Sequence, residues 1–138
     1  MSQPEIIGTW LVEDFWCEID TKVRTYPFGP NPRGVLIILE NGRMAAVFSA
    51  RTSFQISSEL DKARAYDNSI GYSGRYRLEA PDRFVTQVDV SSWPHWFGTT
   101  QGRTYSINGN HLEIISDPVR GPNGENVIVK VSLVREVA

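Results

Sequence analysis

Apolar residues along this chain recur mostly at every second position and seldom at every third or fourth. "IIGTWLVEDFWCEID" (6–20) is densely apolar from Trp10 to Ile19, with partial alternation. "GVLIILE" (34–40) is a continuous apolar run, and "RMAAVFSA" (43–50) follows it across Asn41-Gly42. Asn-Gly between two strand-like runs predicts a hairpin, because both residues accept positive φ. "IGYSGRYRLE" (70–79) places Ile70, Tyr72, Gly74, Tyr76 and Leu78 on one face and Gly71, Ser73, Arg75, Arg77 and Glu79 on the other. That is a strand with one side buried and one side wet. Ala80-Pro81-Asp82 turns the chain into "RFVTQVDV" (83–90), where Phe84, Thr86, Val88 and Val90 share a side. Further along come "TTQGRTYSI" (99–107), a second Asn-Gly at 108–109, "NHLEIIS" (110–116) and the alternating run "NVIVKVSLVRE" (126–136).

One segment, "SSELDKARAYDNS" (57–69), reads as helix. Ser58 is the expected N-cap, with Glu59 and Asp61 in the first turn where the helix dipole favours acids. Leu60, Ala63 and Tyr66 would form a narrow buried stripe. "YPFGPNPRG" (26–34) and "DPVRGPNGEN" (117–126) are Pro/Gly-rich and read as loops. Strands joined by short turns, about eight in number, bend most economically into an up-and-down barrel, which leaves no exposed edges. The expected fold is therefore all-β: a single antiparallel barrel over residues 1–138 with one short helix, able to be filled or to hold one small ligand. A sandwich is the alternative, but its Greek-key crossings call for longer connections than the chain provides.

Composition narrows the function. The 138 residues carry a formal net charge of −2, with no basic excess to neutralise phosphates, so no nucleic-acid partner is expected. A single cysteine, Cys17, rules out an internal disulfide and a multi-Cys zinc site, and its place in a strand predicts an inert core thiol. Two histidines give no convincing metal cluster, and the chain has no P-loop, GxGxxG or GxSxG; neither metal nor cofactor is expected. No 18-residue apolar stretch predicts a membrane span. "MSQPEIIGTW" lacks the basic and apolar regions of a signal peptide, so the expected address is the cytoplasm.

The stretch "SSWPHWFG" (91–98) concentrates Trp93, His95, Trp96 and Phe97. Pro94 and Gly98 predict a loop at one rim of a barrel. Its aromatics either plug the core or wall a pocket for a flat apolar ligand. His95, flanked by two indoles, is a candidate general base if desolvation holds it neutral; otherwise it is structural. His111 reads as solvated. Gln101, Arg103 and Tyr105 share one face of their strand. Facing inward, Gln101 and Arg103 would grip a ligand, Arg103 as an anion or enolate stabiliser; facing outward, they are surface groups. Asp14, between Val12 and Trp16, either pairs with Arg103, Arg43 or a buried tyrosine, or is turned outward by a bulge. Tyr72 and Tyr76 are either core or pocket residues, and Tyr26 and Phe28 are candidates for the far side of the mouth.

Gly8-Thr9-Trp10 at the head of the first strand and Arg135 near the end of the last resemble the lipocalin signature, in which an Arg of the final strand packs across the indole as a cation–π partner. The whole layout, from "GTW" through "YPFGPNPRG" and "GYSGRYRLE" to "WPHWFGTTQGRTYSINGNHLEI", resembles the bacterial and fungal lipocalin-like domain family over nearly the full chain. The resemblance implies a calycin-type barrel. For function it implies only a group that contains carriers, inhibitors and several cofactor-free enzymes. Two readings follow. One is a module binding a small, mostly apolar molecule of aromatic, polyketide or terpenoid kind through Tyr26, Phe28, Tyr72, Tyr76, Trp93, Trp96, Gln101 and Arg103. The other is a cofactor-free isomerase, cyclase, dehydratase or lyase using His95, Asp14 and Arg103 as acid–base and charge-stabilising groups. Pairing into a homodimer is left open.

Overall fold

The computed structural model, which describes residues 4–51, 55–120 and 123–137, turns the period-two runs into strands. In chain order these are β1 (Gly8–Ile19), β2 (Val23–Thr25), β3 (Arg33–Ile38) and β4 (Arg43–Ser49). Helix α1 (Glu59–Asp67) follows, then β5 (Ser69–Glu79), β6 (Arg83–Ser91) and the 3-10 turn η1 (Pro94–Trp96). The chain ends with β7 (Thr100–Asn108), β8 (His111–Ser116), β9 (Val119–Arg120) and β10 (Asn126–Arg135). Antiparallel neighbours run β1-β3-β4-β5-β6-β7-β8-β10, and β10 pairs back on β1. Eight strands thus close on themselves, as expected, with β2 and β9 as short additions on β1 and β10. Closure satisfies the backbone donors and acceptors that a sandwich would leave at its edges. Of the "DPVRGPNGEN" loop, Gly121 and Pro122 lie outside the described residues, as do residues 1–3 of the start.

One end of the barrel is shut. Trp10 is fully buried there, its Nε1 donating to the Ile6 carbonyl (2.9 Å), and Arg135 lies over its ring 4.2 Å from the centre. Ile6, Ile38, Met44, Leu112 and Leu133 fill the space around it. Both Asn-Gly turns belong to this end.

Two bulges decide what the other end presents. In β1 the register on β10 shifts between Val12 and Asp14, so one extra residue, Glu13, is accommodated. A one-residue insertion exchanges the two faces of a strand. Trp10 and Val12 face in before it; Phe15 and Cys17 face in after it, and Asp14 and Trp16 turn out. In β6, Ser73 and Gly74 of β5 pair with Val90 and Val88, so Asp89 is the extra residue. Phe84, Thr86 and Val88 are buried as expected, but Val90 is flipped outward and is 60% exposed.

Ser58 caps α1 as expected, accepting from the Asp61 amide (3.1 Å). The expected buried stripe of Leu60, Ala63 and Tyr66 is absent: no residue of α1 is buried. The strands already enclose the core, so a helix at the rim has little apolar surface left to cover. Its chief anchor is Trp93, whose Nε1 donates to the Tyr66 carbonyl (3.1 Å) and whose ring tilts against that of Tyr66. No helix among the described residues is long and apolar enough to cross a membrane.

Candidate functional site

The end opposite Trp10 opens into a cavity of about 540 Å³ that runs down the barrel axis. Most of its wall is hydrocarbon. On one side Phe15 of β1, Phe28 of the loop before β3 and Phe48 of β4 form a cluster, with ring centres 4.9, 5.4 and 6.3 Å apart. Edge-to-face and tilted rings of this kind hold one another while leaving faces for a guest. Ile114, Val129, Val131 and Leu133 continue the wall along β8 and β10.

The aromatic stretch 91–98 supplies the rim. Pro94 starts η1, and the amides of Trp96 and Phe97 bond back to the carbonyls of Trp93 and Pro94 (3.0 and 3.1 Å). The turn sets Trp93 and Trp96 edge to face at 5.5 Å, and Trp96 meets Tyr72 at 5.1 Å. Both indoles line the cavity and pack against the core below it. Phe97 does not join them; it is 68% exposed. His95 borders the cavity with its ring stacked on Trp93 (6.0 Å, 13°), but it is exposed, so the desolvation expected from its two indole neighbours is not found. His111 is exposed, as expected, beside Glu13.

One sector of the wall is polar. Gln101 and Arg103 of β7 face inward, and Tyr105 beyond them packs on Phe84. Arg103 Nη2 donates to Gln101 Oε1 (2.7 Å) and its Nη1 to the Gly102 carbonyl (3.0 Å). Tyr72 stands beside it: burial pushes the Tyr72 phenol up, and the Arg103 charge pulls the other way. Ser116 and Asp117 complete the sector at the end of β8. The Ser116 hydroxyl is occupied by the Val129 amide (2.8 Å).

The other expected site residues fall elsewhere. Asp14 points out of the barrel at its bulge, its carboxylate accepting from the Phe15 amide (2.9 Å), and it does not line the cavity. Neither Arg103 nor Arg43 is its partner; Arg43 grips Asp89 with two bonds of 2.9 and 2.8 Å. The set His95, Asp14 and Arg103 is therefore not assembled. Tyr76 packs near the shut end and donates to the Leu39 carbonyl, away from the cavity. Tyr26 is 44% exposed and bonds Arg24 on the outside, while Phe28, two residues on, is 3% exposed in the wall. Among the wall residues that escaped the sequence reading are Phe48 of β4 and, on β1, Phe15 and Cys17. The signal for the two β1 residues was a change of parity, with apolar residues at even positions before Glu13 and at odd positions after it. Leu11 and Trp16, apolar on the outer face, obscured the switch. Burial raises the Cys17 thiol above its ordinary range. Among the described residues no group of three or more His, Cys, Asp or Glu gathers where it could hold a metal ion.

Comparison with known proteins agrees with this geometry. The chain is 34% identical over 70 residues to a 4′-hydroxy-3′-methoxypropiophenone carrier protein of Aspergillus oryzae, a match that takes in 44% of this chain and 61% of that protein. It thus spans about three fifths of the length of that relative. The profile of the lipocalin-like domain matches residues 7–130, nearly the whole barrel, and the chain belongs to the lipocalin-like domain family.

Proposed function

We propose that this protein is a carrier that holds one small, largely apolar aromatic molecule in the barrel and releases it unaltered. The supporting observation is the open cavity of about 540 Å³, walled by the Phe15–Phe28–Phe48 cluster and the Trp96–Tyr72 pair, with its polar groups confined to one sector. A volume of this order suits a ligand of drug-like size, and an apolar wall with a few placed donors is the common form of such sites. The similarity to a protein named as an aryl ketone carrier points to the same class of guest. Polyketide-derived aromatics fit this description better than flexible terpenoids, because flat rings match the faces the wall offers. The enzymatic alternative loses its acid, since Asp14 lies on the outer surface.

Titration with 4′-hydroxy-3′-methoxypropiophenone tests the reading, using quenching of the rim tryptophans and calorimetry for affinity and mass spectrometry for the recovered ligand. A carrier gives one saturable site and returns the compound unchanged. Absence of saturable binding by this and related aryl ketones, or their conversion to a new product, would overturn it.

A further inference from the structure

Arg103 is the unbalanced charge of the cavity. Its hydrogen bonds go to neutral groups, Gln101 Oε1, the Gly102 carbonyl and the Tyr72 phenol. Among the described residues it makes no salt bridge. The acid at the same rim, Asp117, is taken: Arg83 reaches it with two parallel bonds, both 2.7 Å, and Arg103 is the least of the influences that lower its pKa. Gly102 leaves room for that capture. A Cβ there would stand 2.2 Å from Arg83 Nη2 and 2.3 Å from Asp117 Oδ2, so the Arg83–Asp117 bridge lies in the space that the missing side chain leaves. The bridge is held against Gly102 while Arg103, one residue on, faces the hollow with no salt bridge of its own among the described residues.

A guanidinium carries five donors, and its partners here, Gln101, the Gly102 carbonyl and the Tyr72 phenol, are all neutral. A cation in a hydrocarbon-walled hollow is costly until an anion meets it, and an arginine–oxyanion bond is stronger than a neutral one. The phenol of Tyr72, beside Arg103, can add a further donor. We propose that Arg103, flanked by Tyr72 and Gln101, takes an anionic oxygen carried by an aromatic ligand, so that the barrel selects acidic aromatics over neutral ones of the same shape. This rests on the reading of the cavity as a ligand site. The remaining titratable groups on the cavity wall are Asp117 after β8, His95 of η1 and Cys17 of β1, besides Tyr72 of β5. A neutral ligand of the same outline reports their contribution to any pH dependence.

Three ring-matched probes separate the cases: 4-hydroxybenzophenone, its methyl ether 4-methoxybenzophenone, and 4-benzoylbenzoate. Their affinities are measured from pH 6 to 10, with the phenolate absorption band reporting the ionisation of the bound phenol. The phenolate, the carboxylate or both should bind about tenfold tighter than the ether, the scale of one charge-assisted hydrogen bond. A preference for the phenolate should lower the apparent ionisation of the bound phenol by about one pH unit. Arg103→Gln should bring the anions down to the ether's affinity, and Arg103→Lys should keep part of the preference, with circular dichroism reporting the fold of each. Should Arg103→Gln not fold, Arg103→Lys and Tyr72→Phe in its place must each reduce the preference. Equal binding of all three probes, or a preference that survives the loss of Arg103, overturns the proposal and leaves the carrier reading standing. Failure of all three probes to bind removes both.

Discussion

The Arg135 guanidinium stands 4.2 Å from the centre of the Trp10 ring while donating to the carbonyls of Ile7 (3.0 Å) and Glu5 (2.6 Å). One side chain of the last strand thereby ties down the segment before the first strand and covers the plug of the shut end. Gly8 admits it: its φ is +142°, and a Cβ there would lie 2.8 Å from Arg135 Nη1. Trp10→Ala is expected to cost about 3–5 kcal/mol, as for other large aromatics removed from a packed core. Arg135→Ala should cost about 1–3 kcal/mol through the lost cation–π contact and the orphaned carbonyls. Denaturant unfolding measures both. A loss below about 1 kcal/mol for Trp10→Ala would show that the shut end does not hold the barrel together.

Trp96 has the opposite balance. It lines the cavity, packs on Tyr72 and is only partly buried, so its removal deletes ligand surface more than core. Trp96→Ala should weaken binding of an aromatic ligand by about 1–3 kcal/mol. It should also destabilise the apoprotein less than Trp10→Ala does. Equal destabilisation by the two, with affinity unchanged, would assign Trp96 to the core.

How much of this was readable beforehand depends on parity. Alternation in 70–79, the Asn-Gly turns and the Gly8–Trp10–Arg135 set carried the barrel, because burial on one side of a strand is written every second residue. The bulge at Asp14 was legible only as one of two alternatives and the bulge in β6 not at all, and both moved the site. Glu13 reversed β1, taking Asp14 out of the cavity and bringing Phe15 and Cys17 in. Strand β2 escaped because its turn uses Asp20 and Thr21, both at positive φ (51° and 60°), where a sequence reading looks for Asn or Gly. Gln101 and Arg103 were legible as a pair on one face. Which face required the pairing of β7 with its neighbours.

The Arg83–Asp117 bridge gives the barrel an acid-side dependence. The neighbouring guanidinium holds the Asp117 carboxyl below the usual carboxylate range. Arg83 stays charged throughout, so only the carboxyl titrates. Because the folded pKa lies below the unfolded one, the contribution is present above the ordinary carboxylate pKa and is lost as pH falls through the folded value. Both side chains are partly exposed, and solvent screening keeps the contribution small. Asp117→Asn should flatten the acid limb of the stability curve relative to wild type. Gly102→Ala, whose Cβ would displace the tips of both side chains, should weaken the pair and flatten the limb in part. Unfolding midpoints between pH 3 and 7 measure both, and superimposable acid limbs for wild type and Asp117→Asn would count against the bridge.

Cys17 offers a probe of the cavity that depends on neither ligand fluorescence nor turnover. It faces inward after the β1 bulge, and burial raises its thiol above the ordinary range, so less of it is thiolate at neutral pH. The thiolate is the species that attacks a disulfide reagent. Labelling by an aromatic disulfide should therefore be slower than for a free thiol at pH 7.5, and should climb with pH through a midpoint above that of the free thiol. A bound aromatic ligand should slow it severalfold further by occupying the approach along the barrel axis. Trp96→Ala, by weakening the ligand, should move the protection to higher ligand concentration in proportion to its loss of affinity. Protection that ignores both the ligand and the Trp96 substitution would place the reagent's path to Cys17 outside the cavity, and with it the inward orientation on which the β1 bulge argument depends.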